Sequence, residues 1–466
     1  MTDTARLDRQ HWQRRLAELA HKHQVPGAQL GILAGDELLE LAYGVLNLRT
    51  GQPATTESVF QIGSITKVWT ATVVMQMVDE GKLALDTPVV EVVPELQLSD
   101  PEVTKRLTIW HLLTHTSGLD GDVFTDTGRG DDCLEKYAAL FADIAQNHPL
   151  GATWSYCNSG WSLLGRVIEK VDGTTWDQAM KDRLFTPLGL DHTMTLAEEA
   201  ILYGAAVGHV EVEGEQVPTP VWDLPRSVGP AGLIKSTVKD VLGFARMHLS
   251  GGRAPDGSQV LSPESTAAMT RHEVDLPDKL ILGDSWGLGW IRFGWHGDRL
   301  IGHDGNTLGQ AGFLRILPTP GSADGEGVAV ALLTNGGHTR DLYEELYREI
   351  FLEVAGVEMS EPFTPPAEPV EVDVTPYVGT YARSSVRMEV LAGEDGGAPR
   401  LRTTLLGPLA EITPDPVEEY PMVPVGPALF AVRPPEAQTW APVTFYELET
   451  GERYVHFGVR ATPRVD

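Results

Sequence analysis

Cysteine is nearly missing from this chain. Of 466 residues only Cys133 and Cys157 carry thiols, too few for a disulfide framework. Positive charge is scarce as well: 36 lysines and arginines stand against 65 acidic residues, a formal charge of −29. Such a surface repels phosphate backbones and anionic lipid, which argues against nucleic-acid and membrane partners and is otherwise a source of solubility. No apolar run is long enough to span a bilayer. The N-terminus (MTDTARLDRQHWQRRLAELAHKH) lacks the apolar core of an export signal, so a soluble, cytoplasmic protein is expected. H-E-x-x-H and paired-cysteine motifs are absent and the histidines are scattered, so no metal site or cofactor is expected. There is no G-x-S-x-G elbow, which argues against an α/β-hydrolase.

What is present is a long chain with an ordinary apolar fraction of 42%, enough for two or three domains. Residues 8–23 pattern as a surface helix, apolar at Trp12, Leu16, Leu19 and Ala20. Two strands follow, joined by Gly35-Asp36-Glu37. From 83 to about 200 the pattern is helical with long loops. Strand signals return after 280 (Trp286–Phe293, Arg299–His303, Gln310–Leu317, Gly327–Thr334), and a helix over Arg340–Val354 closes the unit. Early strands, a helical insertion and late strands predict an α/β sandwich carrying an all-helical subdomain at 83–200, its first strands pairing with its last. Residues 357–376 are rich in proline and acid and read as a linker. Residues 377–466 alternate apolar and polar in short runs and predict a small antiparallel β-barrel.

The chain is organised around Phe60-Gln61-Ile62-Gly63-Ser64-Ile65-Thr66-Lys67 and the apolar run to Val78, with Gly81 and Lys82 as its stop. This predicts a buried helix with Ser64 on its first turn, where free N–H groups favour developing negative charge. Lys67 lies one turn on, within reach of the Ser64 hydroxyl. A lysine pressed into a core loses its proton readily and serves as a base. S-x-x-K occurs again at Ser236-Thr237-Val238-Lys239. There Thr237 and Asp240 are spaced as a capping box ahead of an amphipathic stretch, so that copy is expected to be a structural helix start.

Two further motifs are compatible with acyl transfer, though each alone is ordinary. In Tyr156-Cys157-Asn158 alternate residues of an extended segment face one way, bringing a phenol and an amide to one cleft; the other reading is a polar loop with Asn158 or Ser159 as N-cap. His303-Asp304-Gly305 ends a strand, where Gly305 permits close approach of a substrate.

Together and in this order the motifs resemble the serine β-lactamase and penicillin-binding protein superfamily, specifically its class C-like esterases, D-aminopeptidases and transacylases. FQIGSITK…MVDEGKLALDTPV is similar to the nucleophile helix and the turn after it, YCNSGWSLLG to the Tyr-x-Asn motif, and GHDGNTLGQAGFLRILP…VAVALLTN to the Lys-Thr-Gly strand and the two strands behind it. LTIWHLLTHTSGL is similar to a structural segment, so His111 and His115 are left out of the site. The resemblance spans about residues 10 to 355, within a catalytic domain placed at 1–356, and implies a β-lactamase/transpeptidase-like fold. Residues 377–466 resemble the lipocalin-like domain of some members.

The resemblance implies Ser64 as nucleophile, Lys67 as its base and Tyr156 as proton shuttle, with Asn158 bonding substrate or lysine and His303 supporting the tyrosine or substrate. The oxyanion is expected on the backbone N–H groups of Ser64 and Asn306. His303 and Asp304 stand where the β-lactamases carry lysine and threonine, replacing a permanent cation with a group largely neutral at pH 7. Esters, D-amino-acid amides, peptides or thioesters are therefore expected rather than β-lactams. Hydrolysis is the first expectation. A biosynthetic transacylase or peptide-cyclising thioesterase is the alternative, and a non-catalytic ligand binder a lesser one. The C-terminal module is expected to plug or line the cleft, or to assist a homodimer; the residues leave these open.

Overall fold

A computed structural model describes residues 7–319, 326–368, 370–393, 397–407, 410, 415–433 and 439–466. Helix α1 (Arg9–Lys22) begins at Asp8, whose carboxylate accepts from the Gln10 and His11 N–H groups, and it buries Trp12, Leu16, Leu19 and Ala20, the four positions its periodicity marked. Strands β1 (Gly27–Ala34) and β2 (Glu37–Asn47) form the early hairpin. A 3₁₀ turn at Gly63–Ile65 then runs into α2 (Thr66–Asp79). Ser64 thus sits on the tight turn ahead of the α-helix, not inside it. Nearly every residue of α2 is buried, so packing on all sides rather than an amphipathic stripe holds it.

The stretch from 83 to 200 is helical, as predicted, with α3 (Asn158–Asp172) its longest member. Helix α4 (Val238–Leu249) starts at Thr237, whose hydroxyl accepts from the Asp240 N–H at 3.3 Å. Lys239 is exposed, so the second S-x-x-K is a helix start. The late strands are β3 (Ile291–Trp295), β4 (Asp298–Asn306), β5 (Ala311–Pro318) and β6 (Gly327–Thr334), followed by α5 (Thr339–Ile350). The expected strand at 286–293 is broken: Ser285–Trp286 and β3 are separate, and the turn between them uses Gly289 at φ 85°.

β1 lies between β2 and β6, so the first strands do pair with the last. The nine-stranded sheet runs from Gln52–Pro53 through β2, β1, β6, β5, β4 and β3 to Ser285–Trp286 and Val274–Asp275, all antiparallel. Its two faces bury separate cores. Leu33, Ile301, Leu314 and Ala331 pack with α2, α3 and α4. Leu30, Phe293, Phe313 and Leu332 pack with α1 and α5. The result is a three-layer α/β sandwich.

Beyond 376 the strands are β7 (Gly379–Arg383), β8 (Val386–Leu391), β9 (Arg400–Leu405), β10 (Val417–Pro421), β11 (Val423–Gly426), β12 (Leu429–Val432), β13 (Ala441–Glu447), β14 (Arg453–Phe457) and β15 (Arg460–Pro463). They form one four-stranded and one five-stranded antiparallel sheet around their own apolar cluster. Among the described residues a bridge between Tyr381 of β7 and Arg464, just past β15, links the two sheets. A closed barrel, expected from the sequence, is not among the sheets found for the described residues. No helix among those residues is long and apolar enough to cross a membrane.

Removing the Thr237 cap by Thr237→Ala is expected to lower stability by about 1 kcal/mol in denaturant melts. Lys239→Ala should leave both stability and serine reactivity unchanged, which separates this S-x-x-K from the one at Ser64.

Candidate active site

The turn carrying Ser64 is clamped against the sheet by two glycines. Gly63 takes φ 52°, a conformation that side chains rarely adopt, and a Cβ there would lie 2.6 Å from Asn306 N. A Cβ on Gly305 would stand 1.9 Å from the Ile62 carbonyl and 2.9 Å from Ser64 N. Only glycine at both places lets backbone meet backbone. This contact packs the backbone of the Ser64 turn against that of Gly305–Asn306.

Lys67 Nζ lies 3.0 Å from Ser64 Oγ and donates to the Ala231 carbonyl at 2.6 Å. The side chain is wholly buried. Burial, then the nearby Arg460 cation, pushes its pKa well below the ordinary lysine value. An uncharged amine with one N–H on Ala231 keeps its lone pair for the Ser64 hydroxyl. Lys67 Nζ also stands 4.8 Å from the centre of the Tyr156 ring.

Tyr156 is buried, which raises its pKa, and the neighbouring Ser64 hydroxyl lowers it in part. Two further groups lie against the Tyr156 ring. His115 stacks on it at 4.4 Å, and the Arg460 guanidinium lies 4.9 Å from its centre. Around His115, the Cys157 backbone N–H points at Nδ1 (2.8 Å) and the Trp161 indole N–H at Nε2 (3.2 Å). A neutral imidazole has one lone-pair nitrogen and so accepts from one of these two donors; protonating it would set N–H against N–H at both. Burial and Lys67 likewise push its pKa well down. His115 is therefore a neutral platform under the phenol, closer to the site than its sequence segment implied.

Asn158 opens α3 and is half-buried. Among the described residues its side chain makes no hydrogen bond to Ser64, Lys67 or Tyr156. The N-cap is Cys157, whose sulfur accepts from the Gly160 N–H, and not Asn158 or Ser159.

His303 lies inside β4 rather than at its end, and it is buried. Its Nδ1–H donates to the Asp304 carbonyl at 2.6 Å, leaving Nε2 without a partner among the described residues. The ring centre is 6.3 Å from that of Tyr156 and 5.6 Å from Trp286. Burial first, then Lys67, brings its pKa down to about 3, so it is a neutral acceptor. Successive strand residues face opposite ways. Asp304 accordingly points to the other side of the sheet, where it pairs with Arg315 (2.5 Å) and Arg340 (3.0 Å).

The C-terminal sheets supply one wall, and nothing in the sequence marks these residues. Val459 accepts from the Tyr156 N–H (3.0 Å), and the Ala461 N–H reaches Ser155 Oγ (3.2 Å). Arg460 and Arg383 both bind Asp122, at 2.7 and 2.5 Å. Burial opposes ionisation of Asp122, but the two arginines hold its pKa at about 2. Spacing rules could not bring residues over 300 positions apart together; only the tertiary fold does. Among the described residues, no three His, Cys, Asp or Glu side chains group as a metal ion would need.

This nucleophile turn, buried lysine and tyrosine on an α/β sandwich define a serine acyl-transfer class. The family model described as Beta-lactamase matches residues 12–355, and the chain belongs to that family. It is 47% identical over 396 residues to Penicillin-binding protein 4 of Amycolatopsis lactamdurans, covering 84% of this chain and all of that protein. The crystal structure of SurE matches with TM-score 0.79 and 29% identity over 98% of this chain and 99% of that one. SurE with D-Leu matches with TM-score 0.76 and 28% identity over the same shares.

Replacing Arg460 by Gln removes a cation that depresses the Lys67 pKa and leaves Asp122, which raises it. The lysine should then hold its proton to higher pH. The acid limb of kcat/KM is expected to move upward in Arg460→Gln, read from pH–rate profiles of the two proteins.

Proposed function

We propose that the protein is a serine hydrolase that forms a Ser64 acyl-enzyme and cleaves esters, D-amino-acid amides or peptides rather than β-lactams. The observation that carries this reading is the wholly buried Lys67 amine, 3.0 Å from Ser64 Oγ. In the proposed cycle the uncharged amine takes the Ser64 proton as Oγ attacks the substrate carbonyl. The Ser64 and Asn306 N–H groups hold the oxyanion, and Tyr156 passes a proton to the leaving group. Water, activated in the reverse sense, releases the acid. His303, with its Nε2 lone pair open, is suited to accept from an O–H or N–H near the phenol.

Two observations bear on the substrate. The third motif offers a neutral acceptor where a β-lactam carboxylate needs a cation, and the nearby guanidinium of Arg460 is already paired with Asp122. SurE, the structural relative, is known with D-Leu, which favours a D-residue as part of the substrate here. The alternative acceptor, an amine in a transacylase, thioesterase or cyclase reaction, uses the same intermediate. The division into a catalytic domain (1–356), a linker (357–376) and a C-terminal domain (377–466) that walls the cleft belongs to this proposal.

A fluorophosphonate probe is expected to add one label to the wild type and none to Ser64→Ala; equal labelling would overturn the reading. Lys67→Arg, which cannot give up its proton, should reduce acylation at least about 10²-fold with the fold intact by circular dichroism. In intact-mass experiments, D-amino-acid esters and amides should acylate Ser64 roughly 10–100-fold faster than benzylpenicillin, the worth of one charge-assisted contact. Faster turnover of the penicillin would sink the substrate assignment. The wild-type acid limb should fall well below the ordinary lysine pKa of about 10.4, activity rising as Lys67 loses its proton.

A further inference from the structure

His115 is buried in a backbone conformation that few side chains adopt. The short helix Ile109–Leu113 ends at Thr114, and the next residue turns to φ 58°. Histidine tolerates this left-handed region better than most, yet a residue other than glycine stays there only where its surroundings require it. Here the surroundings are the segment that carries the phenol. The His115 carbonyl accepts from the Ser155 N–H at 3.0 Å, and the shorter of the imidazole's two contacts brings the Cys157 N–H to Nδ1 at 2.8 Å. Between those anchors the imidazole lies on the Tyr156 ring, centres 4.4 Å apart and planes 21° from parallel. We propose that His115 is the positioning residue of the proton shuttle, holding the Tyr156 phenol where it meets the leaving group. The assignment rests on the Ser64 acyl-enzyme reading and deepens it.

The segment is gripped along both edges. The N–H groups of Ser155 and Cys157 turn to His115, and that of Tyr156 turns the other way, to the Val459 carbonyl. Trp286 braces the stack from the side: its ring centre is 4.8 Å from that of His115 and 6.1 Å from that of Tyr156, and its indole N–H donates to the Leu113 carbonyl at 3.0 Å. Three demands therefore meet in one residue: a positive φ, an acceptor for the Cys157 N–H and a flat face for the phenol. Asparagine meets the first two and phenylalanine the third; histidine meets all of them. Ser64 and Lys67 stand on a different element, and among the described residues neither is hydrogen-bonded to His115. Disturbing His115 thus displaces the acid while leaving nucleophile and base in place. The chemistry separates the two effects. An alkoxide or amine is expelled as its bond to the carbonyl carbon breaks and it takes the phenol's proton; the proton that Ser64 gave to Lys67 then restores the phenol. A p-nitrophenolate leaves as the anion and needs no proton.

The full-length wild type, His115→Phe and His115→Asn are compared on the methyl and p-nitrophenyl esters of D-phenylalanine, through kcat/KM, which reports acylation. His115→Phe is expected to lose about 10²-fold on the methyl ester, in kcat rather than KM, and less than about threefold on the p-nitrophenyl ester. His115→Asn keeps the acceptor and should recover part of that loss, to within about tenfold of wild type on the methyl ester. All three proteins should take the fluorophosphonate label, because fluoride also departs without a proton. Should His115→Phe fail to fold by circular dichroism, the ratio of the two esters in His115→Asn decides by itself. Equal losses on both esters, or an unchanged methyl-ester rate in a folded variant, would overturn the positioning role and leave the acyl-enzyme reading standing. So would a labelled wild type that cleaves the p-nitrophenyl ester alone, since it delivers no proton. A wild type that takes no label, or cleaves neither ester, overturns that reading and this assignment with it.

Discussion

An amine sealed from water beside a hydroxyl stays there only uncharged, and the architecture around Lys67 serves that condition. Helix α2 is buried on every side, so its lysine cannot reach solvent. The Ala231 carbonyl takes one N–H and fixes where the lone pair points. Among the described residues no carboxylate is hydrogen-bonded to Lys67 to restore its proton; Asp122, whose charge acts on it, is itself held by two guanidiniums. Arg460 and the histidine platforms extend the same logic. Arg460 opposes a second cation beside it and His115 and His303 stay uncharged, while Asp122 and Cys157 pull the other way.

Much of this was legible along the chain because it is local. Ser64 and Lys67 are one turn apart, the buried face of α1 follows from its period, and the Thr237 cap follows from its spacing to Asp240. The pairing of β1 with β6 followed from the order of elements. What was not legible is long-range. Arg460 and Asp122 meet only because a hairpin from the far end of the chain packs on the loop after His115. His115 itself reads as part of a structural segment, and its contact with Tyr156 depends on how that loop folds back. The closed barrel was expected because alternating strands reveal a sheet but not which edges pair. The break after Trp286 escaped because apolar runs do not show a turn within them.

The third motif has two sides. His303 faces the phenol and Asp304 faces the arginines behind the sheet, a direct result of the two-residue period of a strand. Neighbouring positions in sequence therefore answer to unrelated surroundings. Loss of the cation familiar in β-lactamases is one change at His303, and the ion-paired acid at Asp304 is a second with its own packing reason. Reading the motif as one chemical unit, an imidazole beside an anion, put their charges in the same place, whereas the sheet separates them.

Val459 holds φ 62°, unusual for a β-branched residue, in the two-residue turn between β14 and β15. Its carbonyl serves Tyr156, and the next side chain, Arg460, serves Asp122. Tips of this kind normally accept extra or missing residues with little effect. Here a single insertion would flip the alternation of the following strand and turn Arg460 away from the phenol. The length of this turn is thus dictated by chemistry at the opposite end of the polypeptide, and variation there is expected to act as a change of catalyst rather than of surface.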